Sequence, residues 1–153
     1  MPEYVETTVD KFTFKVATDR FYCTEGLWIL WLQPQAGNRV RVGLTDYVQQ
    51  HSGDVTFVTV KPAGTKLQIG DELADFETMK IVLTLASPVS GTIALVNDAL
   101  DLNPELVNQS PYDKGWLAEI DVTDWEARRA TLLDPNAYFA FMKAEAEEEA
   151  RKP

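Results

Sequence analysis

Alternation of apolar and polar residues with a period of two predicts β-strands along most of the chain as far as residue 122. The stretch 74–86 shows this best, and its alternation is interrupted only around Met79 and Lys80. Because no Gly, Pro or Asn separates its two halves, we expect a very tight hairpin with Met79-Lys80 at the tip. A lysine there holds its amine away from the body of the domain, although a solvated turn lysine is the plainer interpretation of this stretch alone.

The same alternation predicts further strands on both sides of this hairpin. Phe12, Phe14 and Val16 predict an edge strand within the otherwise weakly patterned residues 1–20. Strands are also expected in the segments 21–32, 39–42, 54–60, 93–96 and 116–121, with a turn over 33–38. The similar segments 62–65 and 88–92 stand before and after Lys80, which suggests two related half-sheets about the hairpin.

Helix signals are few in the first part of the chain. Thr45 is a candidate N-cap of a short helix, and Gly53 is suited to end it with a left-handed residue. His51, the only histidine, would lie near the end of that helix as a polar residue. Asn103 followed by Pro104 predicts one further helical turn with Asn103 as its cap.

After residue 122 the pattern changes to helical periodicity, and C-terminal helices are expected over about 123–150. The segment 123–126 has the form of a capping box that opens a helix running to about Leu133. Asp134 and Pro135 predict the start of a second helix. In it, Tyr138, Phe141 and Met142 are spaced to pack on the sheets.

Composition narrows the class of protein. The 153 residues fit one domain, and 45% hydrophobic and 25% charged residues are ordinary globular values. A net charge of −10 makes nucleic acid or an anionic membrane an unsuitable partner. The single Cys23 lies in an apolar run and is expected to be a buried small residue. With no membrane-spanning run and no signal-peptide core, we expect a cytoplasmic location.

No sequence motif for catalysis is present, neither a nucleophile elbow nor a phosphate-binding loop nor Cys/His metal-ligand spacing. Asp75 and Glu77 would share one face of a strand, but without a histidine or metal cluster they predict a solvated face. A β-rich domain that displays one lysine on a tight hairpin fits a non-catalytic carrier. The Lys80 amine is suited to an amide with a lipoyl or biotinyl group, which would then supply the chemistry.

The chain resembles the H protein family of the glycine cleavage system, whose members carry lipoate. The family's modified lysine follows a Glu-Ser-Val-Lys-like motif, and Lys80 occupies that position in Glu77-Thr-Met-Lys80. Further matching blocks, in order along the chain, are 42–47, 53–58, 70–71, 87–91, 96–100, 103–108, 110–112, 115–116 and the closing helix with Leu132-Leu133 and Tyr138. The resemblance implies a barrel-sandwich hybrid of two small sheets with peripheral helices.

It also implies that lipoate is attached to Lys80 as an amide and shuttles an aminomethyl group and reducing equivalents between partner enzymes. The implied partners are glycine decarboxylase, aminomethyltransferase, dihydrolipoyl dehydrogenase, and a lipoate ligase or lipoyl transferase. Glu77 is a candidate for recognition by the lipoylating enzyme, and a solubilising strand residue is an equally open interpretation.

Three departures from the family keep alternatives open. The family's His-Glu-Trp-like triplet is replaced by Gly26-Leu27-Trp28, so the cargo or the partners can differ. An H-like lipoate-binding protein serving a sulfur-oxidising, heterodisulfide-reductase-like complex is the main alternative. Met79-Lys80 also resembles the biotin-carrier motif, which leaves a biotin carrier as a minor alternative. Residues 1–20 have no clear counterpart, so the carrier domain is expected to span 21–153.

Overall fold

A computed structural model describes residues 2–32 and 37–152, and it has the mainly β architecture that the alternation predicts. The residues 33–36 of the expected turn lie outside the described part. The strands are β1 (Tyr4–Val9), β2 (Phe12–Ala17), β3 (Phe21–Tyr22), β4 (Leu27–Trp31), β5 (Asn38–Leu44), β6 (Val55–Val60), β7 (Lys66–Leu67), β8 (Glu72–Thr78), β9 (Val82–Ala86), β10 (Gly91–Val96) and β11 (Ala118–Val122). The helices are α1 (Asp46–Ser52), α2 (Ala99–Leu102), α3 (Leu106–Gln109), α4 (Trp125–Arg129) and α5 (Pro135–Ala150).

Two antiparallel sheets form the body of the protein. One has six strands in the order β3-β4-β5-β11-β10-β7, and the other has three in the order β6-β8-β9. Their inward-facing apolar side chains belong to one buried cluster, which includes Ile29, Val42 and Ile120 from the larger sheet and Phe76 and Leu85 from the smaller. The expected fold class, two small sheets with helices at the periphery, is confirmed.

The two similar segments that flank Lys80 in the sequence lie side by side, and the first of them bonds to Ile93, directly after the second. Ile93 accepts a hydrogen bond from the Gly64 N–H at 2.7 Å and donates its own N–H to the Thr65 carbonyl at 2.9 Å. These segments lead into β7 and β10, which are neighbours in the six-stranded sheet. The repeat therefore marks adjacent strands of one sheet, so it does not indicate two related half-sheets about the hairpin.

The expected caps of α1 and α5 are confirmed. The Val48 N–H donates to Thr45 Oγ1 at 3.3 Å, and Gly53, with φ of 87°, follows the last turn of α1. At the start of α5, the Ala137 N–H donates to Asp134 Oδ1 at 2.8 Å. Such side-chain acceptors satisfy N–H groups that the first helical turn leaves without a partner.

The face that α5 buries differs from the expected stripe. Tyr138, Met142 and Ala146 are buried, whereas Phe141 is 39% exposed. The buried positions recur every four residues, so the contact follows one i, i+4 row of the helix. The prediction that Phe141 packs on the sheets together with Tyr138 and Met142 is therefore wrong for Phe141.

The capping box predicted at 123–126 does not form. Thr123 continues the pairing of β11, because both its N–H and its hydroxyl donate to the Ser90 carbonyl, at 2.9 and 3.2 Å. Asp124 takes the cap position with φ of 52° and makes no capping hydrogen bond through its side chain. Thus α4 begins at Trp125 and ends at Arg129, four residues before the predicted end at Leu133.

Tertiary pairing explains the early end of this helix, and the structure also corrects a second helix prediction. Leu133 exchanges backbone hydrogen bonds with Tyr22 at 2.8 and 2.9 Å, which requires an extended backbone there. Asn103 is not an N-cap but the C-cap of α2, and α3 begins only at Leu106 after a turn at 104–105. At Leu133 a non-local contact outweighs the local helix signal, whereas the Asn103 N–H donates to the Ala99 carbonyl and so ends α2.

Residues 2–19 form more structure than the single edge strand expected from Phe12, Phe14 and Val16. Strands β1 and β2 pair along their whole length as an antiparallel hairpin, with Val9 opposite Phe12 next to the turn. Phe14, Val16 and Ala17 are buried in a second apolar cluster with Tyr47, Tyr138 and Met142. This N-terminal hairpin is thereby attached to α1 and α5.

Candidate functional site

Lys80 lies at the tip of the hairpin formed by β8 and β9, as the sequence pattern predicts. Glu77 pairs with Val82 in the last ladder position, and the Thr78 N–H donates to the Ile81 carbonyl at 2.9 Å. Thr78 Oγ1 accepts the N–H groups of Lys80 and Ile81, at 3.2 and 3.1 Å. One threonine hydroxyl therefore fixes the backbone of the turn without glycine or proline.

The strands below this tip are anchored in the core, while the tip itself is exposed. Phe76 is only 1% exposed and packs within the apolar cluster, whereas Met79 is 87% exposed. The Lys80 side chain is exposed, and over residues 2–32 and 37–152 its amine takes part in no ion pair. An accessible amine on a fixed backbone fits the acylation that a covalently attached acyl cofactor requires.

Glu77 and Asp75 lie on the same outward face of β8, on either side of the buried Phe76. The Asp75 carboxylate accepts a hydrogen bond from Thr84 Oγ1 at 2.6 Å, so it serves the pairing of β8 with β9. Glu77 is exposed, and its backbone carbonyl accepts from Thr56 Oγ1 at 3.1 Å. Of the two acidic residues, Glu77 presents the more accessible carboxylate, three residues before Lys80.

A groove of about 350 Å³ runs from Lys80 between the N-terminal hairpin and two helices. The hairpin contributes Val9, Asp10, Phe12 and Phe14; α1 contributes Tyr47, Gln50 and His51; and α5 contributes Ala146, Glu149 and Ala150. The Tyr47 and His51 rings are nearly parallel, with centroids 5.8 Å apart. The expected place of His51 near the end of α1 is confirmed, but sequence reasoning missed that the N-terminal hairpin reaches the lysine.

The replacement of His-Glu by Gly26-Leu27 has a local structural reason. Gly26 has φ of 89°, and a Cβ at this position would collide with the Val48 side chain of α1. A side chain at this position would strain the backbone and would require the Val48 side chain to move, so glycine is favoured here. Leu27 is fully buried in the main core, and its backbone pairs with Leu44 across β4 and β5. The leucine side chain therefore contributes to the packing of the core.

Cys23 is buried, as predicted, and its thiol lies 3.7 Å from the Leu27 carbonyl that it faces. Burial raises the pKa of this thiol to about 11, which makes it a poor nucleophile near neutral pH. Within the residues that the structure describes, no group of three or more His, Cys, Asp or Glu side chains could hold a metal ion. No helix in the same part of the chain is long and apolar enough to cross a membrane.

A rigid antiparallel scaffold that presents one accessible lysine at a hairpin tip is the arrangement of a carrier domain for a covalently attached cofactor. The family model described as "Glycine cleavage H-protein" matches residues 20–145. The chain belongs to this family, whose members are lipoyl carriers and non-catalytic subunits.

Individual relatives agree with the family match. The glycine cleavage system H protein of Cronobacter sakazakii is 43% identical over 115 residues, which cover 75% of this chain and 88% of that protein. The H protein of Mycobacterium leprae is 40% identical over 126 residues, covering 80% and 93%. A crystal structure of a glycine cleavage system H protein from Mycobacterium marinum superposes with a TM-score of 0.68 at 30% identity, covering 80% of this chain and 95% of that one.

Proposed function

We propose that Lys80 is acylated by lipoate and that the chain shuttles an aminomethyl group and reducing equivalents between the enzymes of glycine cleavage. The observation that carries this proposal is the place of Lys80, accessible at the tip of a fixed hairpin and within Glu77-Thr-Met-Lys80. Membership of the H-protein family supports lipoate as the attached group.

In this proposal the chain presents and tethers the cofactor. A lipoyl group supplies a dithiol that cycles through its disulfide. The strands β8 and β9 hold the base of the arm, and the Thr78 hydroxyl holds its turn, so that only the side chain of Lys80 needs to move. Tethering keeps the reactive end at high effective concentration wherever a partner docks.

The proposed partners are glycine decarboxylase, aminomethyltransferase, dihydrolipoyl dehydrogenase, and a lipoate ligase or lipoyl transferase. Relatives named as glycine cleavage system proteins support this set. We assign Glu77 to recognition by the lipoylating enzyme, because its carboxylate is exposed near Lys80. The carrier unit would comprise residues 21–153, with the N-terminal hairpin attached to it.

The first experiment tests the attachment. After co-expression with a lipoate ligase, the intact mass of the protein should rise by one lipoyl group. Lys80→Arg should abolish the increase, and Lys66→Arg, at another exposed lysine, should keep it. An adduct of biotin size, or an adduct retained in Lys80→Arg, would contradict the proposal.

The second experiment tests the cargo. With glycine, glycine decarboxylase, aminomethyltransferase and a folate acceptor for the one-carbon group, the lipoyl disulfide should be converted to the dithiol. Dihydrolipoyl dehydrogenase with NAD⁺ should then reoxidise the dithiol, so that NADH forms in a glycine-dependent manner. One other candidate stays open because Gly26-Leu27 differs from the family pattern, namely a lipoate-binding protein of a sulfur-oxidising, heterodisulfide-reductase-like complex. A fully lipoylated protein that stays inert with the glycine cleavage enzymes would exclude the first role and leave this second one.

A further inference from the structure

The groove beside Lys80 owes one of its walls to residues outside the family match. The matched region begins at residue 20, whereas Val9, Asp10, Phe12 and Phe14 belong to the N-terminal hairpin. Phe12 is 54% exposed and stacks on Phe14, with ring centroids 6.2 Å apart and planes inclined by 20°. The hairpin therefore offers an aromatic surface to the space next to the modified side chain.

This wall is held firmly against the helices. The Lys15 N–H donates to Asp46 Oδ2 at 2.9 Å, and Gln50 Nε2 donates to the Thr13 carbonyl at 2.9 Å. Further from the tip, the Tyr112 hydroxyl donates to the Lys15 carbonyl at 2.8 Å. Side chains of α1 thus cap the outer edge of β2, and the hairpin cannot swing away without losing these bonds.

The chemistry of the lining indicates what the groove accepts. Its volume falls at the lower end of the range for small-molecule sites, and its apolar surface comes from Val9, Phe12, Phe14, Tyr47 and two alanines of α5. An aliphatic chain that ends in a sulfur-containing ring suits such a surface, since sulfur packs favourably against aromatic rings. Because Lys80 itself lines the groove, a group attached to its amine begins inside the site.

We propose that the N-terminal hairpin is a binding wall for the protein's own lipoyl arm, with Phe12 as the apolar contact and Asp10 as the charged one. This rests on the proposed lipoylation of Lys80. Once the Lys80 amine is an amide, the charged groups that line the groove are the Asp10 and Glu149 carboxylates, with His51 beside them. The negative lining favours an arm that carries a protonated amine over one that carries an anionic sulfur group.

The test measures how exposed the arm is, on full-length lipoylated protein whose dithiol has been reduced. Alkylation by iodoacetamide near neutral pH is followed by intact mass for the wild type, Phe12→Ser, Asp10→Asn and the control Lys11→Gln. Lys11 lies in the same turn as Asp10 but does not line the groove. The only cysteine, Cys23, is buried with a raised pKa, so the signal comes from the arm.

Phe12→Ser should raise the alkylation rate roughly two- to tenfold, the range expected for loss of one aromatic contact. Asp10→Asn should also raise the rate, because removing a carboxylate beside a thiol lowers the thiol pKa. The Asp10 effect should fade in high salt while the Phe12 effect persists. Lys11→Gln should produce no increase.

A second readout is independent of thiol chemistry. Lipoylation should shift the amide NMR signals of residues 9–14 in the wild type, and the shifts should shrink in Phe12→Ser. Equal alkylation rates in all four fully lipoylated proteins, or unshifted signals in this segment, would overturn the inference. Failure of the proposed function would show differently, as the absence of a lipoyl adduct on Lys80 in the wild type.

Discussion

The two hairpins that meet at the groove are built alike and fixed differently. Both are antiparallel pairs with a short turn, β1–β2 at the N-terminus and β8–β9 around Lys80. The N-terminal hairpin buries Phe14, Val16 and Ala17 and is hydrogen-bonded to α1 along its outer edge. The Lys80 hairpin is anchored at its base alone, and its tip extends into solvent.

This difference places an exposed attachment point, the Lys80 tip, next to a fixed surface, the N-terminal hairpin, within one fold. The side chains at the tip of β8–β9 are exposed, so the lipoyl amide proposed for Lys80 would disturb few contacts of the fold. The N-terminal hairpin supplies a fixed surface near that tip at the expense of ordering 18 further residues, numbered 2–19. The exposed lysine and the fixed surface beside it thus come from separate segments of the chain.

The largest expected effect is a difference in the free energy of unfolding between substitutions at the base and at the tip of the Lys80 hairpin. Phe76→Ala should lower the free energy of unfolding by about 3–5 kcal/mol, because a fully buried phenyl ring leaves a cavity between the sheets. Met79→Ala, at the exposed tip, should change it by less than about 0.5 kcal/mol. Urea unfolding of both variants checks this. If Met79→Ala lowered the free energy of unfolding by more than about 1 kcal/mol, the tip of the hairpin would make stabilising contacts that its exposure does not indicate.

The second prediction asks whether the N-terminal hairpin folds with the rest of the chain. Phe14 packs edge-on against Tyr47 with ring centroids 5.1 Å apart, so Phe14→Ala should cost about 2–4 kcal/mol. Unfolding should remain a single transition when followed by circular dichroism and by tryptophan fluorescence. Two separate transitions would mean that the hairpin is an independent unit and not a fixed wall of the groove.

Sequence reasoning recovers the Lys80 hairpin because every contact that defines it is local. The alternation of 74–86, the tight turn and the accessible tip are properties of adjacent residues. The N-terminal hairpin was predicted as one edge strand, since β1 has little apolar alternation and its burial depends on α1 and α5. The failed capping box has the same origin, because Thr123 bonds to Ser90, 33 residues away. A groove assembled from four distant segments leaves no local pattern in the sequence.

The third prediction uses pH to destabilise both apolar clusters, through Cys23 in the main core and through buried tyrosines in the cluster beneath the N-terminal hairpin. Burial raises the pKa of Cys23 from 9.0 to about 11, and burial also raises the pKa values of Tyr47, Tyr112 and Tyr138. The unfolded chain therefore loses these protons first as the pH rises. The stabilisation is fully present below the unfolded pKa values and is lost as the pH rises through the folded ones.

For Cys23 that window is about pH 9–11, and the loss across it should be about 2 kcal/mol. Urea unfolding at pH 8 and pH 11 should show a smaller decline for Cys23→Ala than for the wild type. The decline left in the variant reports the tyrosines, among them Tyr112, whose hydroxyl bonds to the N-terminal hairpin. Parallel declines in the two proteins would contradict the role given to Cys23.

The smallest expected effect tests the hydrogen bonds that fix the N-terminal hairpin to α1. Asp46 accepts the Lys15 N–H through Oδ2 and the Gln49 side chain through Oδ1, at 2.9 and 2.7 Å. Asp46→Asn removes the charge and one acceptor, so it should cost about 1 kcal/mol and speed hydrogen exchange of the Lys15 amide. Asp54→Asn, at an exposed position after α1, is the matched control and should leave that exchange unchanged. If the Lys15 amide exchanged at the same rate in Asp46→Asn and in Asp54→Asn, apolar packing alone would hold the N-terminal hairpin against α1. The packing of Phe14 against Tyr47 would then be the contact that matters most for the position of this hairpin.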